Sequence, residues 1–298
     1  MEKGIFALQR LEIDGIDSLR HPIADANVDI IQLGRGRLTG SLTKIIFPKL
    51  AFSITDFSLP LRATGILGST NLTICMMLGS AGRSTSWSRE LQQGDVFVAA
   101  PGNNFDAVFG ESSEFAALSV SPHEIAAMFA GEPVLGGASF WVENRHFTCA
   151  PHLRAEMANR VLQSASRLRN GGTISPSAAD FWQRSLIEGF TAGFSCSQLE
   201  RRATIPSALR LVREVEQYLH ANTHGAIDVS ELCTALNTSR RTLHRAFHDV
   251  LGVGPISFLR HHRLCSVHSK LCQGDPSNTH VTDVATEFGF IELGRFAH

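Results

Sequence analysis

Four side chains between residues 240 and 250 can act as a set: Arg241, His244, Arg245 and His248. Their steps of three, one and three place all four on one face of an α-helix. Leu243, Ala246, Phe247 and Val250 interleave with them and fall on the opposite face, so the segment reads as a helix with an apolar side to bury and a donor-rich side to present. A guanidinium carries a planar fork of N–H donors that matches the O6 and N7 acceptors of guanine. An imidazole donates or accepts at a base edge, or binds phosphate. The chemistry on offer is hydrogen bonding to nucleic-acid bases and backbone. The surrounding charge agrees: from Thr238 to Lys270 there are six cations (Arg240, Arg241, Arg245, Arg260, Arg263, Lys270) against one acid, Asp249, a local +5 in a chain of net charge −1. A local basic patch on a neutral protein is an electrostatic footprint of this kind. Taken alone, these residues also fit a small helical bundle whose exposed face is merely basic.

Other chemistries find less support. An open first-row metal site wants several nitrogen and oxygen ligands close together. The histidines of the N-terminal part, His21, His123, His146 and His152, are scattered and none lies in a central strand. The six cysteines form no C-x-x-C, and Met1-Glu2-Lys3 does not open an uninterrupted apolar signal segment, so reduced thiols and a cytoplasmic location are expected. Cys265 and Cys272, seven apart on one helix face, are beyond the roughly 7 Å Cα reach of a disulfide and read as packed core thiols. No G-x-S-x-G, P-loop or dinucleotide pattern occurs, and Gly34-Arg35-Gly36-Arg37 reads as a solvated turn. Trp87, Trp141 and Trp182 read as packing aromatics. The expectation is a chain that is not an enzyme, with no cofactor, no metal and no membrane partner, since no apolar run reaches 18 residues.

The elements that must position the basic helix fall in three stretches. Residues 1–150 are expected to form a β-rich sensor or regulatory domain. Ile45-Ile46-Phe47, Leu72 to Met76 and Val96-Phe97-Val98 are strand-like pieces separated by turn signals, and Phe105, Ala107 and Phe109 alternate as in a half-buried strand. Strands at this spacing suggest a sandwich or small barrel, with a helix starting near Pro122. Residues 151–204 read as a helical dimerisation or linker segment. Leu153, Met157, Val161 and Leu168 mark one helix, Phe181, Leu186, Ile187 and Phe190 a second, and residues 200–206 a polar link. Residues 205–298 read as all helix. The fold class is therefore α+β and multidomain: a mainly β barrel or sandwich with helices, followed by an all-α domain.

In the last stretch, Leu209, Val212, Val215 and Leu219 give one amphipathic helix. Asp228-Val229-Ser230-Glu231 resembles a capping box at the start of the next. That helix ends at Asn237, a residue tolerant of the left-handed conformation of a tight turn, and Thr238-Ser239 offers the N-cap of the basic helix. Cys233 falls where two helices joined by such a turn cross closely. After Gly252, Pro255 suits the first turn of a long helix reaching about Leu271. Residues 281–290 then repeat the helix and turn, with Ala285 at the close crossing and Gly289 at the left-handed position.

This double arrangement resembles the AraC/XylS family of transcription regulators. The resemblance rests on Ser239 to Phe247, on Gly252-x-x-Pro255-x-x-Phe258-Leu259-x-x-x-Arg263-Leu264, and on Val284-Ala285-x-x-x-Gly289-Phe290. It implies two helix-turn-helix units joined by a long helix, reading successive major-groove faces of double-stranded DNA. By motif position, Arg241, His244 and Arg245 would face bases and Arg240 would meet phosphate, Ser239 at the helix start would belong to the same DNA-binding set, and Arg295 and His298 would fall at outward positions of the second reading helix. That helix is expected to be incomplete, because the sequence stops at His298. The resemblance further implies a cupin-like N-terminal barrel, a small-molecule effector, a homodimer, contact with RNA polymerase and an activator role. The alternatives are a cupin-like enzyme with a helical appendage and a protein-binding adaptor.

Overall fold

In the computed structural model the described residues are 7–19, 27–132, 134–170, 175–192, 206–222, 227–275 and 278–290. Two compact units result: residues 1–30 with 34–203, and residues 31–33 with 204–298.

The first unit is built on two sheets. The larger has seven strands in the order β1 (Ala7–Asp14), β3 (Thr39–Ile46), β4 (Leu50–Phe57), β11 (Ser113–Val120), β6 (Leu72–Gly79), β9 (Val96–Ala99) and β12 (Arg145–Phe147). The smaller runs β2 (Asn27–Gln32), β5 (Leu61–Ile66), β10 (Asn104–Phe109), β7 (Ser84–Ser86) and β8 (Arg89–Leu91). The two-residue period of the strands sorts the larger sheet into two faces. Ile45, Phe52, Leu118 and Ile74 are in register across four strands and belong to the buried core of the unit. The same core takes in α1 (Pro122–Met128), α2 (Arg154–Asn170) and α3 (Pro176–Thr191), through residues such as Ile125, Val161, Leu168, Leu186 and Phe190. The helices of the 151–204 stretch thus bury their apolar faces in the same core as the strands. Phe181, grouped by spacing with that face of α3, is instead 64 % exposed.

β10 departs from the expected half-buried strand. Asn104 apart, all its residues are buried, because it lies between β5 and β7 inside the smaller sheet. The polar member of the run, Asp106, is accommodated by Arg62 of β5: the pair is bidentate, its second contact (Nη2 to Oδ2) is 3.0 Å, and both side chains are almost wholly shielded from solvent.

The second unit is helical: α4 (Ser207–Ala221), α5 (Val229–Ala235), α6 (Arg240–Leu251), α7 (Pro255–Gln273) and α8 (Val281–Glu287). Its core forms from Leu209, Val212, Val215 and Leu219 of α4 with Leu232, Leu243, Phe247 and Phe258. The reading of Cys265 and Cys272 as core thiols needs correction: Cys265 is half-buried and Cys272 exposed, because α7 buries only a narrow stripe, including Phe258, Leu259 and Val267. No helix among the described residues is long and apolar enough to cross a membrane.

Candidate nucleic-acid interface

The site is assembled from α5, a four-residue turn and α6. Asp228 caps α5, its carboxylate accepting from the N–H groups of Ser230 at 2.6 Å and Glu231 at 2.9 Å. Those backbone bonds, Glu231's first and then Ser230's, hold the Asp228 carboxyl below the usual carboxylate range. Only half of the expected capping box forms. The Glu231 carboxylate does not reach back over the helix start; it accepts from the Tyr218 hydroxyl at 3.0 Å and so ties α5 to α4, which raises the Tyr218 pKa.

The turn after α5 depends on Asn237, whose φ is +46°. With that one left-handed residue, Leu236 N–H donates to Leu232 O, Asn237 N–H to Thr234 O and Thr238 N–H to Cys233 O, so the last carbonyls of α5 are satisfied as the chain reverses. Ser239 then caps α6, its hydroxyl accepting from Thr242 N–H at 3.1 Å. Gly252, at φ +69°, ends the helix and donates its N–H to His248 O.

Along α6, Leu243, Ala246, Phe247 and Leu251 are buried. Val250, assigned by spacing to the inner face, is only half-buried, and Leu251 takes the innermost position one residue on. Phe247 packs edge-on against Phe258 of α7 at 5.2 Å between ring centroids, which fixes the start of the long helix against α6. Arg240, Arg241, Arg245 and His248 are exposed and His244 is half-buried. The Arg240 guanidinium donates to the Ser230 hydroxyl, holding it over the start of α5. Among the described residues, Arg241 and Arg245 make no hydrogen bond or ion pair, so their donors face solvent.

The turn recurs after α8. Phe288 N–H donates to Val284 O, Gly289 N–H to Thr286 O and Phe290 N–H to Ala285 O, the offsets seen after α5, with Gly289 at φ +80° in place of Asn237. Val284 and Ala285 are buried like Leu232, while Cys233, the counterpart of Ala285, keeps partial exposure. Two contacts not anticipated from spacing hold this second turn to α7. Lys270 Nζ lies 2.5 and 2.6 Å from the Glu287 carboxylate oxygens, and the half-buried Arg263 guanidinium stacks 5.3 Å from the Phe290 ring centroid. Burial, and then the charge of Arg260, lowers the Arg263 pKa. Of the residues assigned to DNA from sequence, the structure brings Ser239, Arg240, Arg241, His244 and Arg245 onto one helix and its cap; Arg295 and His298 lie outside the described residues.

Residues 232–298 match a family described as a helix-turn-helix domain. Over 142 residues the chain is 26% identical to the probable thc operon regulatory protein of Rhodococcus erythropolis, covering 48% of this chain and 42% of that protein. Over 94 residues it is 33% identical to a XylDLEGF operon transcriptional activator of Pseudomonas putida, covering 31% of this chain and 27% of that protein. The match thus spans less than half the length of either relative. Among solved structures, the AraC-like transcriptional activator CuxR aligns with 88% of this chain and 96% of its own at a TM-score of 0.46 and 16% identity. The C-terminal helical unit, with the turn made twice and the long helix between, is thus similar to a helix-turn-helix domain and to part of these operon regulators.

Proposed function

We propose that the chain is a sequence-specific DNA-binding regulator of transcription that reads the major groove with α6. The observation that carries this reading is the pairing on one helix of a fully buried inner row with two exposed arginines that no described residue engages. A helix in the major groove must offer donors outward while its other side is fixed to its own domain. In this reading Arg241 and Arg245, with His244, address base edges, Ser239 and Arg240 lie against phosphate, and Arg295 and His298 extend the contact from the second unit. The printed names of the relatives, an operon regulatory protein and an operon activator, favour promoter control. The β unit is then the regulatory part, responding to an effector. We include a homodimer and contact with RNA polymerase in the proposal, which makes the chain a cytoplasmic binding protein rather than an enzyme.

The test is selection of fragments from a genomic pool by the full chain, followed by affinity measurements across a salt series. Recovered fragments should share a motif, and log affinity should fall with log salt at a slope of about −0.9 per phosphate engaged. Absence of binding at low salt, or fragments with no common motif, would refute the proposal.

A further inference from the structure

The larger sheet ends on two strands of unequal length, β12 with three residues and β1 with eight. An edge strand carries a row of N–H and C=O groups with no neighbour, and proteins protect such rows by keeping them short, by bulges, by proline or by charge. β12 is protected by its shortness. β1 contains no proline, and its pairing with β3 runs from Ala7 on Ile46 to Asp14 on Thr39 without a bulge. Every residue of β1 except Ile13 is exposed. Leu8 and Leu11 are 41 % and 39 % exposed, because no described strand lies beyond β1.

The charges of this edge are mixed in sign and unengaged. Arg10 and Glu12 stand two residues apart, on one face of the strand, and neither forms a hydrogen bond or an ion pair among the described residues. A row of like charges would repel a second copy of β1, whereas this row complements one. Geometry limits the registers in which two copies can meet. In an antiparallel pair, a residue whose N–H and C=O point across must face another that points across. Those residues recur at every second position of a strand, so in two copies of β1 the facing residue numbers must add to an even sum. A two-fold centred on Arg10 sets Arg10 against Arg10, and one centred on Glu12 sets Glu12 against Glu12; like charges directly opposite are destabilising. Centres nearer either end shorten the ladder. A two-fold centred on Leu11 sets leucine on leucine, with Arg10 against Glu12 on both sides of the axis, and pairs residues 8–14 of each copy. Leu8 then faces Asp14, whose carboxylate is already paired with Arg37 of its own copy.

We infer that β1 is the docking edge for a second copy of this chain, antiparallel about a two-fold at Leu11, with Arg10 of each copy against Glu12 of the other. This gives a surface to the homodimer of the proposed function; the use of the dimer in regulation rests on that reading, and the pairing itself rests on β1. Sedimentation of the full chain over a concentration series tests it. The unsubstituted chain should pass from monomer to dimer, and added salt should shift it back towards monomer. Arg10→Glu and Glu12→Arg should each weaken the dimer about tenfold or more, since the two-fold turns two attractions into two repulsions. The double variant Arg10→Glu, Glu12→Arg again sets opposite charges across the axis and should return close to the unsubstituted affinity. A thiol placed by Leu11→Cys meets its own counterpart at about 4.5–5.5 Å between Cα atoms, within reach of a disulfide, so mild oxidation should crosslink two copies above the background of the unsubstituted chain. Arg10→Cys, out of register with its own counterpart, should not. A chain that stays monomeric, single variants that dimerise as well as the unsubstituted chain, a double variant as weak as the singles, or no crosslink at Leu11→Cys would each overturn the inference. Should a charge variant fail to fold, as read by circular dichroism, the Leu11→Cys and Arg10→Cys comparison decides. A dimer indifferent to every β1 substitution overturns this surface and leaves the homodimer of the proposed function in place. A β1-dependent dimer that binds no DNA would sink the regulatory reading and leave this one standing; DNA binding by a chain that stays monomeric would do the reverse.

Discussion

Replacing Arg241 or Arg245 by alanine isolates the recognition face from the fold. Both side chains are exposed and bond to no described residue, so truncation removes no internal contact and should leave the melting temperature in place. The two positions are four residues apart on α6, about 6 Å along its axis at 1.5 Å per residue. With base pairs about 3.4 Å apart, the two forks would address base pairs about two steps apart. A good bidentate arginine–guanine pair is worth about 1–3 kcal/mol of discrimination. Each variant should therefore lose roughly 5- to 150-fold in affinity for the selected site and much less for random DNA. Arg240→Ala should act differently. Its guanidinium is held over the start of α5, and the expected result is a near-uniform loss across sequences with a salt slope shallower by about one. Gel shifts on the selected site and on one scrambled site, at fixed salt for the affinities and across a salt series for the slope, read all three variants. If Arg241→Ala and Arg245→Ala both keep wild-type affinity and wild-type preference, α6 is not the reading helix and the argument from its outward face fails.

Three further outcomes follow from the local physics. Arg62→Met should destabilise the β unit by about 3–5 kcal/mol in urea melts, because it strands the buried Asp106 carboxylate; an Arg62→Met, Asp106→Leu double variant as unstable as the single would contradict that cause. Asn237→Val should cost about 1–2 kcal/mol and Asn237→Gly little, since the turn needs φ +46°; equal stability of the two variants by thermal melting would count against the left-handed turn. The Asp228 carboxyl is depressed by its capping bonds, so its stabilising share is full above its unfolded pKa and is lost as pH falls through the lower folded value. An acid titration followed by circular dichroism should therefore show a shallower stability loss for Asp228→Ala below about pH 4, and parallel curves would remove the cap from the account.

What the sequence made legible is what local periodicity carries. The inner rows of α4 and α6, the Asp228 and Ser239 caps, and the left-handed turns at Asn237 and Gly289 depend on residues within one or two turns of each other, and pattern reading reaches that far. Where a long-range partner decides the outcome, the pattern fails. Glu231 has capping-box spacing, yet a tyrosine from another helix takes its carboxylate. Cys272 shares a face with Cys265 but falls past the stripe that α7 buries. Asp106 looked like the polar face of a half-buried strand until Arg62, from a strand more than 40 residues earlier, closed over it.

The cavity of about 360 Å³ between the two sheets of the β unit shows the limit most sharply. The alternation of Ala51, Ser53 and Thr55 with Phe52 and Ile54 is plain in the sequence, and periodicity alone would turn the small polar side outward to water. In the fold the large residues meet α2 and α3, and the small ones face a second sheet. A strand covered on both sides can therefore mimic one with a wet face, when what its polar-looking side confronts is an internal space. That distinction separates an outer surface from an internal one, and it is set by where β5 and β10 fold back, which no residue of β4 encodes.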